Sequence, residues 1–287
     1  MLPRRPLAFA ILGALLLAGG GAAFPAARSP ASRVAAGSSH LEAHVVHDTS
    51  YQRERRVWVY TPPGYDAGRS APYPLILAFD GDGYRDDMPL PRVLDSLLAA
   101  GRTPAFVAVL VDDSTGAVRL ADLANTRQMV GFLANQLMPW VRQGWHVTRD
   151  PRRVIVTGSS AGGLAAAFVA FSRPDLFGNV WSQSGAFWRG AEASNDPPWE
   201  WLTGQVAASP RREVRFVLEV GALEHQVTLG GSGPVFGEAH QRFCDALKSK
   251  GYEVTCTEVP GGRHGPPWWR PRMAGGIVAL SAGWPRP

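Results

Sequence analysis

One ten-residue stretch, Val154 to Gly163, restricts the fold of this chain more than any other. It reads Val-Ile-Val-Thr-Gly-Ser-Ser-Ala-Gly-Gly. A β-branched run stops at Gly158, passes Ser160 and Gly162, and enters the small-residue segment Leu164 to Phe171. A strand, a sharp turn and a helix therefore follow one another without a linker. In a G-x-S-x-G elbow the serine occupies strained backbone. The residues two before and two after it must be nearly free of side chain for strand and helix to approach. Gly158 and Gly162 fill those places, which makes Ser160 the candidate nucleophile. Such a short pattern also arises by chance in a chain with 32 glycines, so the surrounding sequence has to support it.

The 287 residues, 45% hydrophobic and 18% charged, suffice for one large buried core. The N-terminus stands apart. Arg4 and Arg5 precede an uncharged run from Leu7 to Phe24, and small residues suited to cleavage follow near Ala23 or Ala27. This predicts a secretory signal peptide over 1–27, a flexible segment over 28–38 and a folded domain over 39–287. An uncleaved anchor is the alternative, but the strongly apolar part is shorter than the ~20 residues of a spanning helix. The expected location is periplasmic or secreted, with no stable membrane insertion once the signal is removed. The formal charge of +5 becomes about +3 without Arg4 and Arg5, and no basic stripe is present, so no nucleic-acid partner is expected. Cys244 and Cys256 fall on an expected helix and the strand after it. In an oxidising compartment a disulfide between them and two separate thiols are both open readings, because spacing alone does not fix geometry.

Along the chain, His40 to His47 and the alternating Arg55 to Tyr60 read as two edge strands. Tyr73 to Asp80 is a continuous apolar run ending in Gly-Asp-Gly, as expected of a strand covered on both faces. A helix around Arg92 to Ala100, a strand over Ala105 to Val111 and a crossover helix over Thr126 to Val141 precede the elbow. After it come a strand over Phe177 to Ser184 and a Trp- and Pro-containing insertion over Trp188 to Pro210, expected to lie over the site. A strand over Arg215 to Gly221, a helix over Pro234 to Lys250, a strand over Tyr252 to Val259 and a terminal helix from Trp268 or Trp269 to about Ala282 complete the pattern. Strands alternating with helices predict an α/β fold, a mostly parallel central sheet with helices on both faces and antiparallel strands at its N-terminal edge.

A serine hydroxyl attacks poorly at neutral pH, so Ser160 needs a base and an acid that orients it. Of seven histidines, His40, His44 and His47 alternate on an early strand, His146 ends a crossover helix and His240 lies on a helix. His225 and His264 follow late strands. When the order is Ser, then Asp or Glu, then His, each partner sits on a loop after a strand. His264, between Gly262 and Gly265, fits the base, and Glu224, three residues past Gly221, fits the acid better than Glu213 or Glu219. For the oxyanion, the backbone N–H of Ala161 is one expected donor, with Asp82 or, in reserve, Gly81 supplying the other. The acidic group Asp80, Asp82, Asp86 and Asp87 lacks an accompanying His or Cys, and neither a metal nor a cofactor is expected.

Several stretches resemble one family. They are Leu137-Met-Pro-Trp-Val-Arg, the elbow Gly-Ser-Ser-Ala-Gly-Gly, the run Arg173-Pro-Asp-Leu-Phe-Gly-Asn-Val-Trp-Ser-Gln-Ser-Gly-Ala-Phe-Trp188 and Pro260-Gly-Gly-Arg-His-Gly-Pro-Pro-Trp-Trp-Arg270. Over most of residues 40 to 282 the chain is similar to the enterochelin (ferric enterobactin) esterase group within the esterase D superfamily of α/β-hydrolases. The resemblance implies an α/β-hydrolase fold with Ser160 as nucleophile, His264 as base and Glu224 as acid. It also implies a substrate contact for Arg119, and Trp188 and Trp269 are expected to line the substrate rim. The family usually reads Gly-Gly-His-Asp, whereas here Arg263 precedes His264 and Gly265-Pro-Pro follows it, which alters that rim. The implied activity is hydrolysis of a small-molecule ester, with a ferric siderophore trilactone as the leading substrate. Aryl or feruloyl esters, acyl transfer, and ligand binding on an inactive scaffold are the alternatives.

Overall fold

The computed structural model describes residues 37–112, 116–123, 127–194, 196–226 and 233–286. The expected signal over 1–27 and nearly all of the segment over 28–38 lie outside the described residues. Eight strands form one sheet: β1 (His40–Asp48), β2 (Arg53–Thr61), β3 (Leu75–Ala78), β4 (Val107–Val111), β5 (Val154–Ser159), β6 (Asn179–Gln183), β7 (Arg215–Gly221) and β8 (Val254–Val259). Their spatial order is β1-β2-β4-β3-β5-β6-β7-β8. The β1–β2 and β2–β4 pairs are antiparallel and the remaining pairs are parallel, as the sequence pattern implies.

Side chains alternate across this sheet, and both faces are apolar. Leu75 and Leu77 enter one layer with Val57, Val59, Val107 and Val109; Ile76 and Ala78 enter the other with Trp58, Tyr60, Ala108 and Leu110. The second layer is closed by α1 (Gly81–Asp86), α2 (Leu90–Ala99) and α10 (Met273–Leu280). Gly276 of α10 lies so close to Trp181 that an added Cβ would come within 2.4 Å of the indole. The first layer is closed by α4 (Arg127–Phe132), α5 (Met138–Gly144), α6 (Ala161–Ser172), α7 (Trp201–Ala208) and α8 (Phe236–Ser249). Eleven of the twelve residues of α6 are buried, so this helix runs through the interior instead of presenting a polar face. A short α3 (Gly116–Asp122) is tied to the antiparallel edge by charge. Buried Arg55 of β2 bridges Asp122 at 3.2 Å and Asp48 at 2.7 Å.

Two helices depart from the periodicity. The expected crossover helix is α4 and α5 joined by one π-helical turn, Leu133–Leu137. Pro139 near the start of α5 has no N–H to donate to the preceding turn, and the wider turn absorbs the interruption. The terminal helix is α9 (Pro266–Trp269), a 3₁₀ turn over Arg270–Arg272, and then α10. Pro271 breaks it for the same reason. Within the 188–210 insertion, expected to lie over the site, α7 packs on α8 and buries Leu202 and Val206.

Cys244 of α8 and Cys256 of β8 are disulfide-bonded, with Cα atoms 6.5 Å apart. Replacing both with alanine opens a 12-residue separation. It should cost about 3 kcal/mol and lower Tm by roughly 5–10 °C, measured by thermal denaturation without reductant. On the same helix His240 is buried against Phe187, and burial lowers its pKa from 6.5 to about 4, against the pull of the Glu224 carboxylate. The unfolded imidazole takes up a proton near pH 6.5, whereas the folded one does so only near pH 4. Folding therefore weakens as the pH falls through that window, by up to roughly 3 kcal/mol. His240→Gln should flatten the fall of Tm between pH 7 and 4.5 relative to the wild type, whatever uniform loss it causes; parallel curves would refute this role.

Candidate active site

Four strand ends converge at the C-terminal edge of the parallel sheet, where α/β folds bind ligands. From β3 the chain turns at Asp80, from β5 at Ser160, from β7 into the 3₁₀ turn Ala222–Gln226 that carries Glu224, and from β8 into the loop that carries His264. Ser160 adopts φ 57° and ψ −121°, the strained conformation of an elbow serine. A Cβ on Gly158 would lie 2.4 Å from the Gly162 carbonyl group, and one on Gly162 would lie 2.8 Å from Asp80 Oδ2. The backbone contact admits only glycine at position 158, whereas a side chain at position 162 would have to displace the Asp80 carboxylate. A similar approach joins the two partner loops: a Cβ on Gly221 would lie 2.5 Å from the Gly262 carbonyl group, and the Leu223 N–H donates to Gly262 O at 2.9 Å.

These contacts bring the three expected residues into one line. His264 Nε2 lies 3.0 Å from Ser160 Oγ, and His264 Nδ1 lies 2.6 Å from Glu224 Oε2. The His264 ring stands edge-on between Phe236 and Trp269, each with its centroid 4.9 Å away. Glu224 is 1% exposed. Burial pushes its carboxyl up, but hydrogen bonds from His264, from Ser184 and from the Gly221 N–H outweigh that cost and hold it below the ordinary carboxylate range. Three of the other histidines have partners away from Ser160. His225 pairs with Glu258 at 3.1 Å, His47 with Glu54 at 2.8 Å, and His44 packs against Trp140 and Trp145. Glu219 meets Arg272 and Gln183, and Glu213 meets Arg211.

The expected oxyanion donors occupy first turns: Ala161 opens α6, while Gly81 and Asp82 open α1. The first N–H groups of a helix have no acceptor within it. The contact of Gly162 with Asp80 brings the starts of the two helices together. Beside the elbow a cleft of about 270 Å³ is bounded by Asp80, Asp82, Asp87, Asp112, Arg119 and Ser159, with Tyr84, Met88, Pro266 and Trp269 among its walls. Arg119 reaches this cleft, where its guanidinium forks onto Asp80, Nη2 to Oδ2 at 2.6 Å. Asp82 has its carboxyl raised by partial burial and by Asp112, against the pull of Arg85 and Arg56. Trp269 lines the cleft, and its indole N–H points inward to Ser184 Oγ at 2.9 Å. Trp188 departs from the expectation of a substrate contact. It is 3% exposed and packs against Trp199 in the core, because the chain leaving β6 turns inward there.

Ser184 and Phe236 are the site residues that sequence reasoning passed over. Ser184 sits in the Ser-Gln-Ser-Gly run at the end of β6, a motif that names no contact by itself. Its positive φ of 48° carries no sequence signature.

Residues 49–280 match the family model described as "Putative esterase". The Iron(III) enterobactin esterase of Dickeya dadantii is 30% identical over 244 residues, covering 80% of this chain and 52% of that protein. The Iron(III) salmochelin esterase of Escherichia coli is 28% identical over 79% of this chain and 54% of that protein. This chain thus spans about half the length of the curated relatives it matches. Among solved structures, the enterobactin esterase of Shigella flexneri in the presence of enterobactin aligns with a TM-score of 0.74 at 26% identity, over 86% of this chain and 60% of that one. A ferulic acid esterase shares the fold at a TM-score of 0.71 and 14% identity. By the extent of the family match, together with the sheet order and the elbow, the chain belongs to this esterase family and has the α/β-hydrolase fold.

Proposed function

We propose that the protein is an exported serine carboxylic-ester hydrolase that works through Ser160, His264 and Glu224. The observation that carries the reading is the unbroken line from Ser160 Oγ through His264 to Glu224, at 3.0 Å and 2.6 Å. With Nδ1–H held by the carboxylate, Nε2 is left as the acceptor that takes the serine proton. Ser160 then attacks the ester carbonyl. Charge developing on the oxygen meets the N–H of Ala161 and that of Asp82 or Gly81, pre-placed donors worth about 3 kcal/mol each in such sites. His264 passes its proton to the leaving alcohol, and water, activated by the same imidazole, releases the acid.

Substrate choice turns on charge. The names of the relatives support a siderophore trilactone, and the ring-lined cleft suits catechol groups. The lining favours a second reading as well. Among the described residues, Asp80, Asp82, Asp87 and Asp112 line the cleft with one guanidinium, Arg119, already forked onto Asp80, while Arg85 beside it pairs with Asp82 at 2.9 Å, so carboxylates remain in excess. A ferric tris-catecholate carries three negative charges, so such a cleft suits the iron-free trilactone or a neutral aryl ester better. Export is supported by the expected signal and by the Cys244–Cys256 disulfide, which persists in oxidising compartments.

Ser160→Ala should lower kcat for p-nitrophenyl esters by at least ~10⁴-fold and abolish labelling by a fluorophosphonate; retained turnover would remove Ser160 from the mechanism. In a hydrolysis screen, iron-free enterobactin and aryl esters should show higher kcat/KM than ferric enterobactin. A clear preference for the ferric form would overturn the charge argument and leave the triad standing.

A further inference from the structure

The triad acid is held from behind by two residues outside the elbow, Ser184 and Trp269. Ser184 follows β6, is 2% exposed and holds a left-handed φ of 48°. Its N–H donates to Glu219 O at 2.6 Å, which fixes that backbone against β7. Its Oγ lies 2.6 Å from Glu224 Oε1 and 2.9 Å from Trp269 Nε1. An indole N–H can only donate, and a serine hydroxyl has one hydrogen. The indole therefore occupies a lone pair of Ser184 Oγ, and the hydroxyl hydrogen goes to Glu224. Donation from the indole also polarises the hydroxyl and strengthens its own donation.

Both oxygens of Glu224 are committed in consequence. Oε1 accepts from Ser184 Oγ and from the Gly221 N–H at 2.8 Å, while Oε2 is left for His264 Nδ1. Trp269 is itself fixed from the other side. Its carbonyl accepts from Gln183 Nε2 at 3.0 Å, and that amide also meets Glu219, which pairs with Arg272 two residues beyond the turn start. One side chain thus orients the acid's partner through its N–H and flanks the base with its ring.

We propose that Trp269 and Ser184 form a strut that orients Glu224, making both of them positioning residues for the hydrolysis. This rests on the Ser160–His264–Glu224 reading. A strut acts on the chemical step and not on substrate affinity, and its two members act through one bond to Glu224.

The test uses the full protein and a p-nitrophenyl ester, comparing Ser184→Ala, Trp269→Phe and the double variant, each assayed well below its own Tm. Trp269→Phe keeps a ring beside His264 and removes the donor. Ser184→Ala should lower kcat by about 10- to 100-fold and Trp269→Phe by a smaller factor of about 3 to 10. KM should stay within about two-fold, and the double variant should resemble Ser184→Ala, since removing one strut twice costs nothing further. Independent packing effects would multiply in the double variant. Multiplied losses, losses confined to KM, or single variants within two-fold of wild-type kcat would each overturn the strut. A wild-type enzyme whose Ser160 is not labelled by a fluorophosphonate would instead sink the triad itself, so the two failures are distinguishable.

Discussion

The meeting of β5 and α6 at two glycines sets the terms for everything around it. Because Gly158 and Gly162 let strand and helix touch through backbone, the residue between them is forced to φ 57° and carries its hydroxyl clear of both elements. The Ser160 N–H is taken by Gln183 O at 3.0 Å, and its carbonyl by Ala186 N at 2.9 Å, so the segment after β6 clasps the elbow from the side. From β3, Asp80 presses on Gly162. Strain at Ser160 is thus sustained by neighbours on both flanks, as a sparsely populated conformation requires. Sheet register then does the rest, because β7 and β8 end level with one another at Gly221 and Val259 and deliver acid and base to the same edge.

Much of this could be read before any coordinates. The apolar runs of β3, β4 and β5 announce strands buried on two faces, and the antiparallel edge shows in the alternation of Arg55 to Tyr60. Ser160, Glu224 and His264 could be placed because each lies a few residues past a strand whose end is marked by glycine. What stayed hidden has two physical causes. Proline effects are local, but their structural outcome is not: Pro139 yields a π turn inside a continuing helix, while Pro271 ends one. Side-chain direction is the other cause. Trp188 and Trp269 are both tryptophans in a motif-rich stretch, yet one turns into the core and the other lines the cleft with its N–H buried behind it. The partners of Arg119 and Ser184 lie on segments distant in sequence, and spacing along one chain does not reveal them.

Charge in the cleft is set by more than one arginine. Arg119, for which the resemblance implies a substrate contact, reaches the cleft and forks onto Asp80, while Asp82, Asp87 and Asp112 also line it. Sign, therefore, has to be judged over the whole lining, since low-dielectric walls focus the field of all its members together.

The disulfide adds a mechanical consequence. Strand β8 is the outermost of the parallel strands, and among the described residues it pairs with β7 only. Outer strands are where native proteins fray first, with amide protons that exchange at small opening cost. This one also bears the loop of the imidazole. Bonding Cys256 to Cys244 on the buried side of α8 clamps the most peelable strand to a helix packed on the sheet. The bond thereby guards the placement of the base against partial opening, and a reducing environment would loosen catalytic geometry before it unfolded the sheet.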